Sequence, residues 1–211
     1  MQYFIGVDEA GRGALAGPVC VGAVLYPEDF DWREAFQLIT KRGEPKLRDS
    51  KKIPAPHRDT LFAYITGHAR LKYAAGLVGS DVIDAIGIVP ATNQAAALAI
   101  AALEPTPPSV KVLLDAGLKA PSTWEQESFV RGDENIPAIS FASIIAKVTR
   151  DRHMEELSAQ YAHYGFDKHK GYGTSAHIAK IKEHGPSFQH RASFMTFLGP
   201  KTASGRPVAI R

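Results

Sequence analysis

The stretch "YFIGVDEAGRGALAGPV" at residues 3–19 constrains this chain more than any other. An apolar run short enough for a strand ends on two adjacent carboxylates, Asp8 and Glu9, and is followed by Gly11, Gly13 and Gly17. Neighbours on a strand point to opposite faces, so both acids can serve one site only if the chain bends there. Gly11 and Gly13 permit such a bend, and a backbone without Cβ atoms can approach a ligand closely. A second apolar run, "SVKVLLDAG", carries Val112, Leu113 and Leu114 and also ends on an acid, Asp115. Burying an unpaired carboxylate costs several kcal/mol, so an acid at such a place needs a partner. In open α/β sheets ligands occupy the crevice beyond the strand ends, where Asp8 and Asp115 would both stand.

The remaining punctuation fits an α/β domain. Residues 2–8, 18–26 and 71–79 read as strands, and helical patterns follow at about 32–42 and 56–69. "SDVIDAIG" reads as a short helix with Ser80 as N-cap, and "ATNQAAALAIAAL" (91–103) as an Ala-rich helix between Pro90 and "EPTPP". "IPAISFASIIAKVTRDRHMEEL" is expected to begin as a short strand and pass into a long helix, and the rest to be loops and short helices. Without repeats or a low-complexity linker, residues 1–211 are expected to form a single domain, with a core over about 1–155, a helical extension over about 156–198 and a flexible tail at 199–211.

A third acid-bearing segment joins the first two. In "FASIIAKVTRD", Phe141, Ile144, Ile145 and Val148 make one helical face, and Asp151 falls at its edge, turned toward the sheet or paired with Lys147 or Arg150. If Asp8, Glu9, Asp115 and Asp151 converge, their repulsion calls for cations. Hard oxygen ligands suit Mg²⁺ or Mn²⁺, and a pair of such ions serves in-line displacement at phosphorus. Charge is distributed accordingly: residues 141–211 carry eleven Lys/Arg against five Asp/Glu, residues 1–140 fourteen against seventeen. A basic segment beside an acidic one suits a polyanion held against a metal site. Cys20 is the lone cysteine, which excludes internal disulfides and fits a reducing compartment. No run reaches the roughly 18–20 apolar residues of a membrane span, so no membrane association and a cytoplasmic location are expected.

With "DEAGRG", "DSKK", "ASIIAKVTRD" and "HKGYGT…HGPSFQHRASF" occurring in this order, the chain resembles bacterial ribonuclease HII over roughly residues 2–198. The resemblance implies a ribonuclease H-like fold, a mixed five-stranded sheet flanked by helices with a helical C-terminal extension. It implies a metal-dependent endonuclease that hydrolyses the RNA strand of RNA–DNA hybrids and nicks 5′ of single ribonucleotides in duplex DNA, leaving 3′-hydroxyl and 5′-phosphate ends. The metal-binding acids it points to are Asp8, Glu9, Asp115 and Asp151, holding two Mg²⁺ or Mn²⁺ ions during catalysis.

Substrate contacts are implied as well. Gly11, Arg12 and Gly13 match the element that touches the 2′-hydroxyl, the group that separates RNA from DNA. Tyr172 matches the tyrosine set against the following deoxyribose, and Ser50, Lys51 and Lys52 match phosphate contacts, which position a duplex without reading its sequence. From the residues alone, Arg12 reads equally as a surface arginine and Tyr172 as a core aromatic. Asn93, Gln94, Lys147, Lys170, His190 and Arg191 are further candidates for a basic, duplex-facing surface. The chain departs from many relatives in Asp115-Ala116-Gly117 and in "FAS", and its tail "GPKTASGRPVAIR" lacks the pattern of a sliding-clamp peptide. A junction resolvase and a non-catalytic nucleic-acid-binding module are the competing readings; the glycine turn with Tyr172 opposes the first, the full set of acids the second. A monomer suffices for all of this.

Overall fold

The computed structural model describes residues 2–40, 46–105 and 110–198. In chain order, β1 (Tyr3–Ala10) and β2 (Val19–Pro27) precede helices α1 (Arg33–Gln37) and α2 (Ala55–Gly67), with a 3-10 turn at Ser50–Lys52 between them. Then come β3 (Lys72–Val78), α3 (Ser80–Ile86), α4 (Ile88–Ala102), β4 (Val110–Asp115) and β5 (Glu125–Phe129). The chain continues through α5 (Gly132–Asn135), α6 (Pro137–Gln160), α7 (Phe166–His169) and α8 (Ser175–His184). The five strands form one sheet in the order β3-β2-β1-β4-β5, with β1 antiparallel to β2 and parallel to β4.

Every residue of β2 is buried, the mark of an interior strand covered on both faces. On one face the alanines of α4 (Ala91, Ala95, Ala96, Ala99) pack with Ile5, Val7, Val112 and Leu114. On the other, α6 supplies Phe141, Ile144, Ile145 and Val148, joined by Leu61 and Ile65 of α2 and by Leu113. Each fully buried Leu, Ile or Phe contributes about 1.5–3 kcal/mol. The approach of α6 is close: a Cβ on Gly22 would lie 2.2 Å from the Ala142 carbonyl oxygen, so only glycine lets helix and strand meet here. A third cluster, Met154, Leu157, Tyr164, Phe166, Ile181, Met195 and Leu198, seats the C-terminal extension on the far half of α6.

Three local expectations are corrected. "IPAIS" is not a strand: Ile136 alone is extended, and Pro137 at the start of α6 supplies the fixed φ that suits a first helical turn. The fifth strand is instead "EQESF", a largely polar sheet edge that no apolar pattern announces. Ser80 does not cap α3; Gly79 holds that position, and the Ser80 hydroxyl donates to the Phe188 carbonyl at 2.9 Å. The expected tail at 199–211 and the end of the helix placed at 32–42 lie outside the described residues.

Candidate active site

The last register pair between the parallel strands β1 and β4 sets Val7 opposite Leu114. One residue further along each strand stand Asp8 and Asp115, which therefore meet at the same sheet end. β1 does not stop at its acids, as the glycines suggested, but stays paired with β2 as far as Ala10. Its last three residues thus border the notch where pairing with β4 has ended. Carboxylate oxygens of Asp8, Glu9 and Asp115 lie within 4.8 Å of one another across that notch.

This cluster is electrostatically unfavourable as it stands. Burial raises the Asp8 carboxyl well above the usual carboxylate range, and Glu9 and Asp115 push it the same way. Burial raises Glu9 too, opposed by Arg12, whose Nη1 lies 3.7 Å from Glu9 Oε1. Glu9 Oε2 is buried with no hydrogen-bond partner among the described residues. An orphaned carboxylate oxygen among desolvated, repelling acids is what a hard divalent cation satisfies, so the residues present fit such an ion.

A fourth acid enters from a segment passed over in the sequence. Asp115 Oδ1 accepts the Gly132 N–H at 2.9 Å, which draws the start of α5 to the cluster. The next residue, Asp133, has its carboxyl raised by burial, then by Asp49 and Asp115, and it raises Asp8 in turn. "RGDEN" offered only an acid after a glycine, the commonest of turn signals. Asp151 behaves differently: Lys147 Nζ donates to its Oδ1 at 2.7 Å, and Arg58 Nη2 lies 3.8 Å from its Oδ2. Neither Asp133 nor Asp151 belongs to the 4.8 Å cluster of Asp8, Glu9 and Asp115; Asp133 acts on it through its charge, and Asp151 is paired with cations instead.

The glycine turn is pinned by two buried arginines. Gly11 adopts φ +86°, and a Cβ there would fall 1.9 Å from Arg150 Nε. Arg150 donates to the carbonyls of Pro18 (2.9 Å), Ala16 (3.1 Å) and Lys170 (2.9 Å). Arg191 donates to the carbonyls of Gly17 (3.0 Å) and Arg12 (2.9 Å). Gly13, by contrast, is exposed, with nothing within 4 Å of where a Cβ would stand, so its backbone faces open space beside the acids.

Cations approach from the Ser50–Lys52 turn, which Asp49 caps by accepting the Lys51 N–H at 2.9 Å. Burial works to lower the Lys51 ammonium pKa, but Asp49, Asp8, Tyr172 and Glu9 outweigh it and raise it. Lys51 is thus within electrostatic reach of both the acids and Tyr172. Ser50 is buried, and Lys52 pairs with Glu134 of α5. The half-buried Tyr172 ring has the Arg150 guanidinium carbon 5.3 Å and Lys147 Nζ 5.8 Å from its centre.

Several candidates for the basic surface are otherwise engaged. Arg191 and His190 are 0% and 4% exposed and belong to the interior, where a basic stretch of sequence gave no hint of it. Lys170 Nζ pairs with Glu155 at 2.8 Å, and Asn93 Oδ1 accepts the Lys119 N–H at 3.0 Å; Gln94 is exposed.

Acid-tipped parallel strands in a mixed five-stranded sheet, crossed by one long helix, define a nuclease of the ribonuclease H-like class. The family model described as Ribonuclease HII matches residues 5–197, and the chain belongs to that family. It is 44% identical over 194 residues to the ribonuclease HII of Bacillus mycoides, covering 92% of this chain and 69% of that protein. The ribonuclease H2 of Pyrococcus horikoshii superposes with a TM-score of 0.63 at 26% identity, covering 92% of this chain and 95% of that one. The ribonuclease HII in the PCNA complex from Archaeoglobus fulgidus gives a TM-score of 0.68 at 24% identity, covering 95% and 98%. The protein is accordingly a ribonuclease H, a divalent-metal-dependent hydrolase that degrades the RNA of RNA–DNA hybrids.

Proposed function

We propose that the enzyme also nicks duplex DNA on the 5′ side of a single embedded ribonucleotide, leaving 3′-hydroxyl and 5′-phosphate ends. The observation that carries this reading is adjacency: the open backbone of Gly13 follows Glu9, the orphaned member of the acid cluster, by four residues. A 2′-hydroxyl read by backbone at that point lies beside the groups that cut.

Asp8, Glu9 and Asp115, with Asp133 as the fourth carboxylate in place of Asp151, would hold two Mg²⁺ or Mn²⁺ ions; an all-carboxylate set favours these over softer metals. When bound, such ions activate water and neutralise charge on the leaving oxygen. The chain's own residues do the rest. Gly11, Arg12 and Gly13 bind the 2′-hydroxyl and its flanking phosphate, with Arg191 holding the Arg12 carbonyl in place. Ser50 and Lys51 meet a phosphate of the same strand. Tyr172 lies against the next sugar, where a second 2′-hydroxyl would collide with its ring, so an RNA-to-DNA junction is preferred.

The substrates are RNA–DNA hybrids and ribonucleotide-containing duplex DNA. We read residues 1–211 as one catalytic domain acting as a monomer in the cytoplasm; among the described residues no helix is long and apolar enough to cross a membrane. The deciding experiment incubates a duplex carrying one ribonucleotide, and an all-DNA control, with Mg²⁺ or Mn²⁺. A single nick 5′ of the ribonucleotide is expected. Equal cutting of the control, or none of the ribonucleotide duplex, would refute the proposal.

A further inference from the structure

The carboxylate of Asp151 stands at a junction of two arms. Through Oδ2 it faces Arg58, whose Nη1 donates to the carbonyls of Ser50 (3.2 Å) and Ile53, the two ends of the turn that carries Lys51. Through Oδ1 it holds Lys147, whose ammonium lies over the Tyr172 ring. The side chains of Arg58, Lys147 and Asp151 are only 14%, 13% and 15% exposed, so solvent does not screen these contacts as it would a surface pair.

We infer that Asp151 is a positioning residue, which sets the phosphate-binding turn and Tyr172 at a fixed separation through Arg58 and Lys147, and that it holds no metal. The inference rests on the roles given to Lys51 and Tyr172 under the proposed function. Its physical basis is charge balance. Without the carboxylate, Arg58 and Lys147 become two like charges left without their shared partner, and the Arg58 fork loses the anchor that orients it toward the turn. A turn freed in this way binds the substrate phosphate less well and loses its register with the tyrosine. The loss therefore falls on KM and on discrimination, while the acid cluster that performs the cleavage keeps its geometry.

The test compares wild type with Asp151→Asn, Arg58→Ala, Arg58→Lys and the Asp151→Asn/Arg58→Ala double variant. Mn²⁺ binding to the free protein is measured by calorimetry, and cleavage of a single-ribonucleotide duplex and of a uniform RNA–DNA hybrid is followed kinetically. Asp151→Asn is expected to bind Mn²⁺ with wild-type affinity, to raise KM about tenfold and to narrow the preference between the two substrates severalfold. Arg58→Ala should reproduce this, Arg58→Lys should recover part of it, and the double variant should be no worse than the poorer single one. Loss of Mn²⁺ binding in Asp151→Asn would make the residue a metal ligand and overturn the inference. Unchanged KM and preference in the folded variants would reduce the pair to a structural contact and overturn it as well. Should Asp151→Asn fail to fold, the two Arg58 variants carry the same comparison. Wild type that cuts the hybrid but not the single-ribonucleotide duplex would defeat the proposed function, while the Mn²⁺ measurement would still decide between ligand and positioning residue.

Discussion

Two regions of this molecule bury charge in opposite ways. At the ends of β1 and β4, Asp8, Glu9 and Asp115 are packed together with their repulsion relieved only in part by Arg12 and Lys51, and one oxygen is orphaned. Far along the chain, Arg150 and Arg191 are fully buried too, yet five of their N–H groups meet backbone carbonyls. The histidines beside them are equally well provided. His177 Nδ1 faces the Tyr172 carbonyl at 2.9 Å and so carries the proton, which makes its Nε2 an acceptor for His190 Nε2 at 3.0 Å. His190 Nδ1 then accepts the Ser187 N–H at 3.0 Å. One region is nearly complete by itself, with Arg191 Nη2 its one buried group lacking a hydrogen-bond partner among the described residues, and the other is a cluster of like charges that calls for a cation. Clustered like charge calls for a cation, whereas charge met by backbone carbonyls holds a turn in place.

The largest departure should come from Asp115→Asn. Cleavage should fall by roughly three orders of magnitude or more, about 4 kcal/mol in the barrier, while the metal-free protein keeps or gains thermal stability because a repelling charge is gone. Single-turnover rates and a melting curve without metal would measure both; a near-normal rate would mean that the unsatisfied cluster is not the active site. The converse is expected of Arg150→Met, which leaves the carbonyls of Ala16, Pro18 and Lys170 without their donor. At about 1–3 kcal/mol for a stranded group, denaturant melts should show a loss of several kcal/mol, a large part of the whole stability. Gly11→Ala comes next: with φ +86° and Arg150 in the way, it should cost about 1–3 kcal/mol, whereas Gly13→Ala should leave the melt unchanged and impair only substrate binding.

A separate effect is acid sensitivity. Burial pushes His177 down to about 4 and His190 down to about 3, with the neighbouring imidazole adding to the effect at His190. In the unfolded chain both titrate near 6.5. The unfolded state therefore binds more protons below that pH, so the stability these groups contribute is full above about pH 6.5 and drains away as pH falls toward 4 and 3. Melting temperature followed from pH 7 to pH 4 should decline, and His190→Asn should flatten the slope. An unchanged slope would mean that the imidazoles are not held neutral.

What could be read beforehand follows the same division. β1, β4 and the apolar face of α6 announce themselves because burial demands that Val, Ile, Leu and Phe dominate the residues turned inward. Asp8, Glu9 and Asp115 were visible because acids at the ends of such runs are anomalous. β5 was not visible, since an edge strand buries too little to leave a pattern in "EQESF". Asp133 was hidden because an acid behind a glycine is ordinary until Asp115 is seen to take the Gly132 N–H. Asp151 reads two ways, turned toward the sheet or paired with Lys147 or Arg150, because a residue at the margin of a helical face can turn either way; the structure pairs it with Lys147 and sets it beside Arg58, 93 residues earlier in the sequence. Arg150 and Arg191 look like solvent-exposed cations, because nothing local reveals that backbone carbonyls far away will surround them.

Those two arginines also set the order in which the enzyme can come into being. The loop from Gly11 to Pro18 is synthesised well before the groups that fix it, which lie 132 and 134 residues away in Arg150, and 174 and 179 residues away in Arg191. Contacts of such sequence separation form late, after most of the chain has been confined. On a ribosome, which releases the N-terminal end first, the sheet and its acids can assemble while the glycine turn still waits for its clamp. In a nascent chain the glycine turn therefore stays unclamped until Arg191 has emerged.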